Sequence, residues 1–378
     1  MKKVYLDNAA TTQLNPKVVE EMRSVLVNSF GNPSSTHFFG RDSKTIIELS
    51  RKFIAKTLNV KSKEIFFTSG GTESNNMIIK SCVKSGVERI ITTKIEHKAV
   101  LNPIMNLYYN KKIDLDFLKI RGDGTPDLSH LQLLLRNPKK TLVSLMHINN
   151  EIGTMIDLNE IGNICQNANA LFHSDTVQTI GHFPLDLSSV YIDFMTCSAH
   201  KFHGPKGVGF VYINEKNKVF PLIEGGEQER GLRGGTESTH NIHGLKVALQ
   251  ESYKNLSDDK EKVESLKELF KKEIFKSIDC VEINGSFRNS SYTILNLRFP
   301  ISVEKKDLIN FKLELAGIAC SSGSACQSGS SEPSHVLAEI LNKDEIKNIS
   351  IRFSFSKFNS KEEIIYATKS IKKILSEC

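Results

Sequence analysis

Through the middle of the chain, short apolar runs alternate with longer stretches in which apolar residues recur every three or four positions. The runs at residues 65–68, 89–92, 115–120, 142–147, 171–174, 191–195 and 208–213 read as short buried strands. Their alternation with helical segments predicts an α/β domain built on a mostly parallel sheet. In such sheets ligands sit beyond the carboxyl ends of the strands, so the residues after each run are the candidates for chemistry.

The flanks read differently. A short apolar segment at 4–6 precedes a helix from about Pro16, where proline suits the first turn. Residues 30–41, rich in Gly, Pro and Ser, read as an ordered loop, and Ile46, Leu49 and Phe53 mark an amphipathic helix after it. A long helical stretch over 240–276 is followed by strand-like 281–284 and 293–299, a helix near 303–316 and strand-like 349–355. Ser360 with Glu363 forms a capping box ahead of a last helix carrying Ile364, Ile371 and Leu375. The expected division is a large α/β domain over 14–250 and a smaller α+β domain made of 1–13 and 251–378.

Charge changes the picture little. The 50 basic and 43 acidic residues leave a net +7, but both signs are interleaved, which describes a solvated surface rather than a nucleic-acid stripe. The opening MKKVYLDNAATT reaches Asp7 before any apolar stretch long enough for a signal peptide, and no run approaches the ~20 residues of a membrane span. The seven cysteines are odd in number and lack metal-type spacing, so neither a disulfide framework nor a metal site is expected. Free thiols in a reducing cytoplasm, with neither membrane nor nucleic acid as partner, are the expectation.

The strand ends carry the chemistry. TSGGTESNN (68–76) puts Gly70, Gly71 and Thr72 where backbone amides can hold a phosphate; an ordinary glycine turn capping a helix has the same composition. His97 in IEHKAV either stacks on an aromatic cofactor and relays protons or caps a helix. Asn149 and Asn150 offer amide donors and acceptors, or simply form a turn. In HSDTVQ, Asp175 either pairs with a protonated pyridine nitrogen or caps a helix, and Gln178 could reach a ring oxygen. In TCSAHKFHGPKGVG (196–209), Lys201 is either a Schiff-base lysine or, like Lys206, a solvated loop lysine. Late in the chain a Gly/Ser-rich loop surrounds Cys320 and Cys326, and Arg352 offers a fork for a carboxylate or for an ordinary salt bridge.

Taken in order, YLDNAATT, GNPSSTH, FTSGGTESNN, EHKAV, NNEIG, HSDTVQ, SAHKFHGPKGVG, ERGLRGGTES, SSGSACQSGSSEPSHVL and SIRFS resemble the cysteine desulfurases, in the branch serving nitrogen fixation and iron-sulfur assembly. Those are fold-type I enzymes of the class-V aminotransferase group that depend on pyridoxal 5'-phosphate. The resemblance implies that Lys201 carries the cofactor, Asp175 meets its ring nitrogen, Gln178 its ring hydroxyl, and His97 stacks on the ring. It assigns the phosphate to Gly71, Thr72, Ser198 and His200, with Thr236 from the neighbouring subunit of a homodimer. Asn150 and Arg352 would bind the carboxylate of L-cysteine, and Cys326 would take its sulfur as a persulfide for an acceptor or iron-sulfur scaffold protein. Cys320 departs from the family pattern, which has a small non-thiol residue there. A selenocysteine lyase on the same scaffold and a basic nucleic-acid-binding protein are the competing readings; the cysteine loop disfavours the first, the mixed charge and missing motifs the second.

Overall fold

A computed structural model describes residues 2–322 and 334–377. Cys326 lies outside the described residues. The central sheet has seven strands: β2 (Ile65–Thr68), β3 (Arg89–Thr92), β4 (Asp114–Phe117), β5 (Thr141–Ser144), β6 (Leu171–Asp175), β7 (Phe194–Ser198) and β8 (Gly209–Ile213), in the order β2-β8-β7-β6-β5-β3-β4. Only β8 runs against the rest, pairing antiparallel with both β2 and β7. β2 to β7 therefore all point the same way, and the segments after β2, β3, β5, β6 and β7 gather along one edge. Every residue of β2, β3, β5, β7 and β8 is buried, as expected of a sheet covered on both faces.

Helices α3 (Gly71–Lys84), α4 (Lys98–Tyr109), α5 (Leu128–Leu134) and α6 (Leu158–Asn167) connect these strands, while α1 (Pro16–Asn28) and α2 (Phe38–Thr57) pack against α7 (Thr239–Lys254). Part of the segment read as a loop is helical: α2 starts at Phe38, capped by His37, and two consecutive exposed phenylalanines had obscured the period there. The single helix read over 240–276 is two, α7 and α8 (Leu256–Ser277), meeting at Asn255.

A second core, with Phe270, Phe299, Phe353 and Phe355 at its centre, is built by α8, the antiparallel strands β9 (Glu282–Asn284), β10 (Ile294–Ser302) and β12 (Asn348–Ser354), and helices α9 (Lys306–Leu315) and α11 (Lys361–Ser376). Helix α10 (His335–Ile340) leads back from the undescribed segment. The amino-terminal strand β1 (Val4–Tyr5) pairs in parallel with β11 (Ile318–Ala319) beside this second core. The chain then crosses to the large sheet, where the Thr12 amide donates to the His200 carbonyl over 2.9 Å. Residues 4–12 thus stitch the two cores together, and the gathered strand ends lie at that seam.

Candidate active site

Lys201 ends the short 3-10 turn that follows β7, and its Nζ donates to the carbonyls of Ala9 (2.7 Å) and Ala10 (2.8 Å). Gln178, just past β6, sends its Nε2 to the same Ala9 carbonyl at 3.0 Å, so that one oxygen joins two motifs far apart in sequence. Asp175, the last residue of β6, is buried; one carboxylate oxygen accepts from Asn75 Nδ2 at 2.7 Å and the other from the Val177 amide at 3.0 Å. Asn75 is itself oriented by the Thr196 hydroxyl at 3.0 Å. Each Asp175 oxygen keeps a lone pair for a further donor.

Helix α3 begins at the glycine turn. Gly70 has φ of +147°, a backbone that side chains resist, and among the described residues no side chain caps the first amides of the helix. A Cβ on Gly71 would lie 2.6 Å from Val177 Cγ2 and 4.0 Å from Ser198 Cβ, so this turn, the segment after β6 and the end of β7 close on one cradle. His200 joins it from the Lys201 turn, its Nδ1 3.1 Å from the Thr11 hydroxyl. Burial first, and then the charges of Lys201 and Lys206, bring its pKa down to about 4.

His97 caps α4, with Nδ1 accepting the Ala99 amide at 3.0 Å. Burial lowers its pKa, against an opposing pull from Asp175, so the ring is neutral with its proton on Nε2. Arg352 on β12 is buried; its NH1 donates to the Asn150 carbonyl at 2.7 Å and its NH2 to Asp7 at 2.8 Å, leaving Nε without a partner among the described residues. Cys320 is pushed up to about 12, chiefly by burial and next by Asp7, so its thiol stays protonated. Thr236 is exposed between β8 and α7 and makes no hydrogen bond to this cluster among the described residues.

Sequence reasoning missed Asn75, although it stands in the quoted glycine motif, and it missed Asp7. It could not have found the Ala9 and Ala10 acceptors, since a backbone carbonyl belongs to no residue type. The donor set nonetheless fits pyridoxal 5'-phosphate. An amine, a buried carboxylate with spare lone pairs, a flat neutral imidazole and an uncapped helix start beside a hydroxyl are what a phosphorylated pyridine aldehyde needs.

The profile of the aminotransferase class-V family matches residues 4–366, which sets the class of this chain. It is 40% identical over its whole length, and 95% of the relative's, to the cysteine desulfurase IscS of Dictyoglomus turgidum. A solved structure described as a NifS-like protein superposes with a TM-score of 0.92 at 35% identity, covering all of both chains. Another, SspA in complex with cysteine, gives 0.83 at 32% identity, covering 95% of this chain and all of that one. The chain belongs to the cysteine desulfurases, and its fold is the fold-type I α/β architecture of that class.

Proposed function

We propose that the protein uses pyridoxal 5'-phosphate to convert L-cysteine to L-alanine, leaving the sulfur as a persulfide on Cys326. The observation that carries the reading is the meeting of Lys201 and Gln178 on the Ala9 carbonyl, with the buried Asp175 at the neighbouring strand end.

Lys201 would hold the cofactor through its amine, Asp175 its ring nitrogen, and Gln178 its ring hydroxyl. Gly71, Thr72, Ser198 and His200 would hold its phosphate, with Thr236 contributed by the second subunit of a homodimer. When bound, the cofactor supplies an electron sink for charge developing at the substrate α-carbon.

The protein's own groups do the rest. Asp175 is fixed by Asn75 and Val177, so its negative charge stays aimed in one direction. His97 holds a proton at Nε2, because Nδ1 is committed to the Ala99 amide. Arg352, steadied by Asn150 and Asp7, presents its remaining Nε–H to the substrate carboxylate. The Cys326 thiolate forms a bond to the substrate sulfur as the carbon–sulfur bond breaks, and the proton lost by the thiol balances the conversion of cysteine and thiol to alanine and persulfide.

The sulfur would pass to an acceptor thiol or an iron-sulfur scaffold protein, in a cytoplasmic setting. No helix among the described residues is long and apolar enough to cross a membrane. The division into a large domain over 14–250 and a smaller one over 1–13 and 251–378 belongs to the same reading.

Borohydride reduction of the holoenzyme followed by peptide mapping should place the cofactor on Lys201, and mass spectrometry after cysteine treatment should find 32 Da, about one sulfur atom, on Cys326. A label on another lysine, or Cys326→Ser protein that still makes alanine at the wild-type rate, would refute the assignment.

A further inference from the structure

The residues that bring His97 into place, 93–96, are held from two sides. From the end of β5, the Met146 amide donates to Glu96 Oε1 at 2.9 Å and Asn149 Nδ2 donates to the Ile95 carbonyl at 2.9 Å. From the opposite end of the chain, His335 Nε2 lies 2.9 Å from the Glu96 carbonyl oxygen. That oxygen and the His97 amide belong to one planar peptide unit. A bond to it therefore sets the plane from which the His97 side chain departs.

His335 is well placed to hold such a bond. It is the first residue of α10, whose Ser334 cap accepts from the Val336 and Leu337 amides and donates to Glu151, the neighbour of Asn150. Val336 and Leu337 then pack against Ile95 and Ile152. The helix start is thus fastened both to the segment carrying His97 and to the segment carrying Asn150. A carbonyl only accepts, so in this bond His335 Nε2 carries a proton and donates it, and its Nδ1 is buried without a partner among the described residues.

We propose that His335 is a positioning residue for His97: its Nε2–H, bonded to the Glu96 carbonyl, fixes the peptide from which His97 reaches the reacting centre. The proposal rests on the reading of His97 as part of a desulfurase site. The role is geometric, so its loss slows turnover more than it weakens cysteine binding.

The test compares holoenzyme with His335→Phe, which keeps a ring and loses the donor, and His335→Gln, whose amide nitrogen reaches the same place. The lost hydrogen bond and the misplacement it allows act together, so kcat for alanine formation should fall roughly tenfold in H335F with KM within about twofold. H335Q should recover most of the loss, and the visible circular dichroism of the bound cofactor should shift in H335F alone. An H335F kcat within twofold of wild type, or an H335Q as slow as H335F, overturns the proposal.

Ring-nitrogen NMR on the unmutated holoenzyme gives a reading independent of how the variants fold. A proton on His335 Nε2 supports the proposal, and one on Nδ1 with Nε2 bare refutes it. If wild-type protein makes no alanine from cysteine, the desulfurase reading falls, while the ring-nitrogen result still decides whether the anchor exists.

Discussion

Glu96 is a carboxyl group in a place where a carboxylate is hard to keep. It is buried beside a cavity of about 20 Å³ lined by Thr93, Gly124, Asn149 and Thr154, and its Oε2 has no partner among the described residues. Burial, with Asp175 adding to it, raises its pKa from 4.5 to about 8. Between those values the folded protein keeps a proton that the unfolded chain has released, so this group's contribution to stability falls as pH rises from 4.5 toward 8. At ~1.36 kcal/mol per pKa unit the full loss is about 5 kcal/mol, of which roughly 2.5 develops between pH 5 and 7.

Glu96→Gln removes the proton and keeps the shape: its carbonyl still accepts from Met146, and its amide replaces the O–H. The variant should gain on wild type by about 2 to 3 kcal/mol on going from pH 5 to pH 7. Urea unfolding followed by far-ultraviolet circular dichroism at both pH values measures this. The buried histidines are common to both proteins and cancel in the difference. A difference that stays constant to within about 0.5 kcal/mol would show that Glu96 ionises normally in the folded protein, and the reasoning would be wrong.

Three further outcomes follow from particular contacts. Arg51 binds Glu229 through both terminal nitrogens at 2.7 and 2.8 Å with both side chains buried, so Arg51→Met alone should cost about 3 to 5 kcal/mol in urea unfolding, and pairing it with Glu229→Leu should restore most of that. Burial brings Lys267 down from 10.5 to about 8, so between those values the unfolded chain binds the extra proton and stability rises with pH; from pH 8 to 9.5 wild type should gain roughly 1.5 kcal/mol relative to Lys267→Met. Gly71→Ala puts a methyl group 2.6 Å from Val177 Cγ2, and equilibrium titration should show cofactor affinity down by about tenfold or more with helix content unchanged.

Much of the fold is written in local pattern. β2 and β3 coincide with the runs at 65–68 and 89–92, because a four-residue strand covered on both faces leaves little room for polar residues. The reversal of β8 is not written there, since a strand's direction is decided by its partners. The same division holds in the site. Lys201, Asp175, Gln178 and His97 were legible because each side chain follows a readable strand. Asp7 was not, because its partner Arg352 is 345 positions away. Glu96 and His335 were hidden by opposite disguises: a carboxyl is ordinarily a surface residue, and an imidazole after a Gly/Ser-rich stretch reads as part of a loop.

The stitching of residues 4–12 has a consequence for how the enzyme is made. Leu6 receives the Ser354 amide at 2.7 Å and Asp7 meets Arg352, so the segment just after β1 waits for partners translated some 345 codons later. At ribosomal speeds that wait is on the order of 20 to 70 s. Throughout it Ser354 is not yet there to hold the Ala9 amide, so the carbonyls that accept from the Lys201 amine have no fixed place and the seam between the two cores closes late.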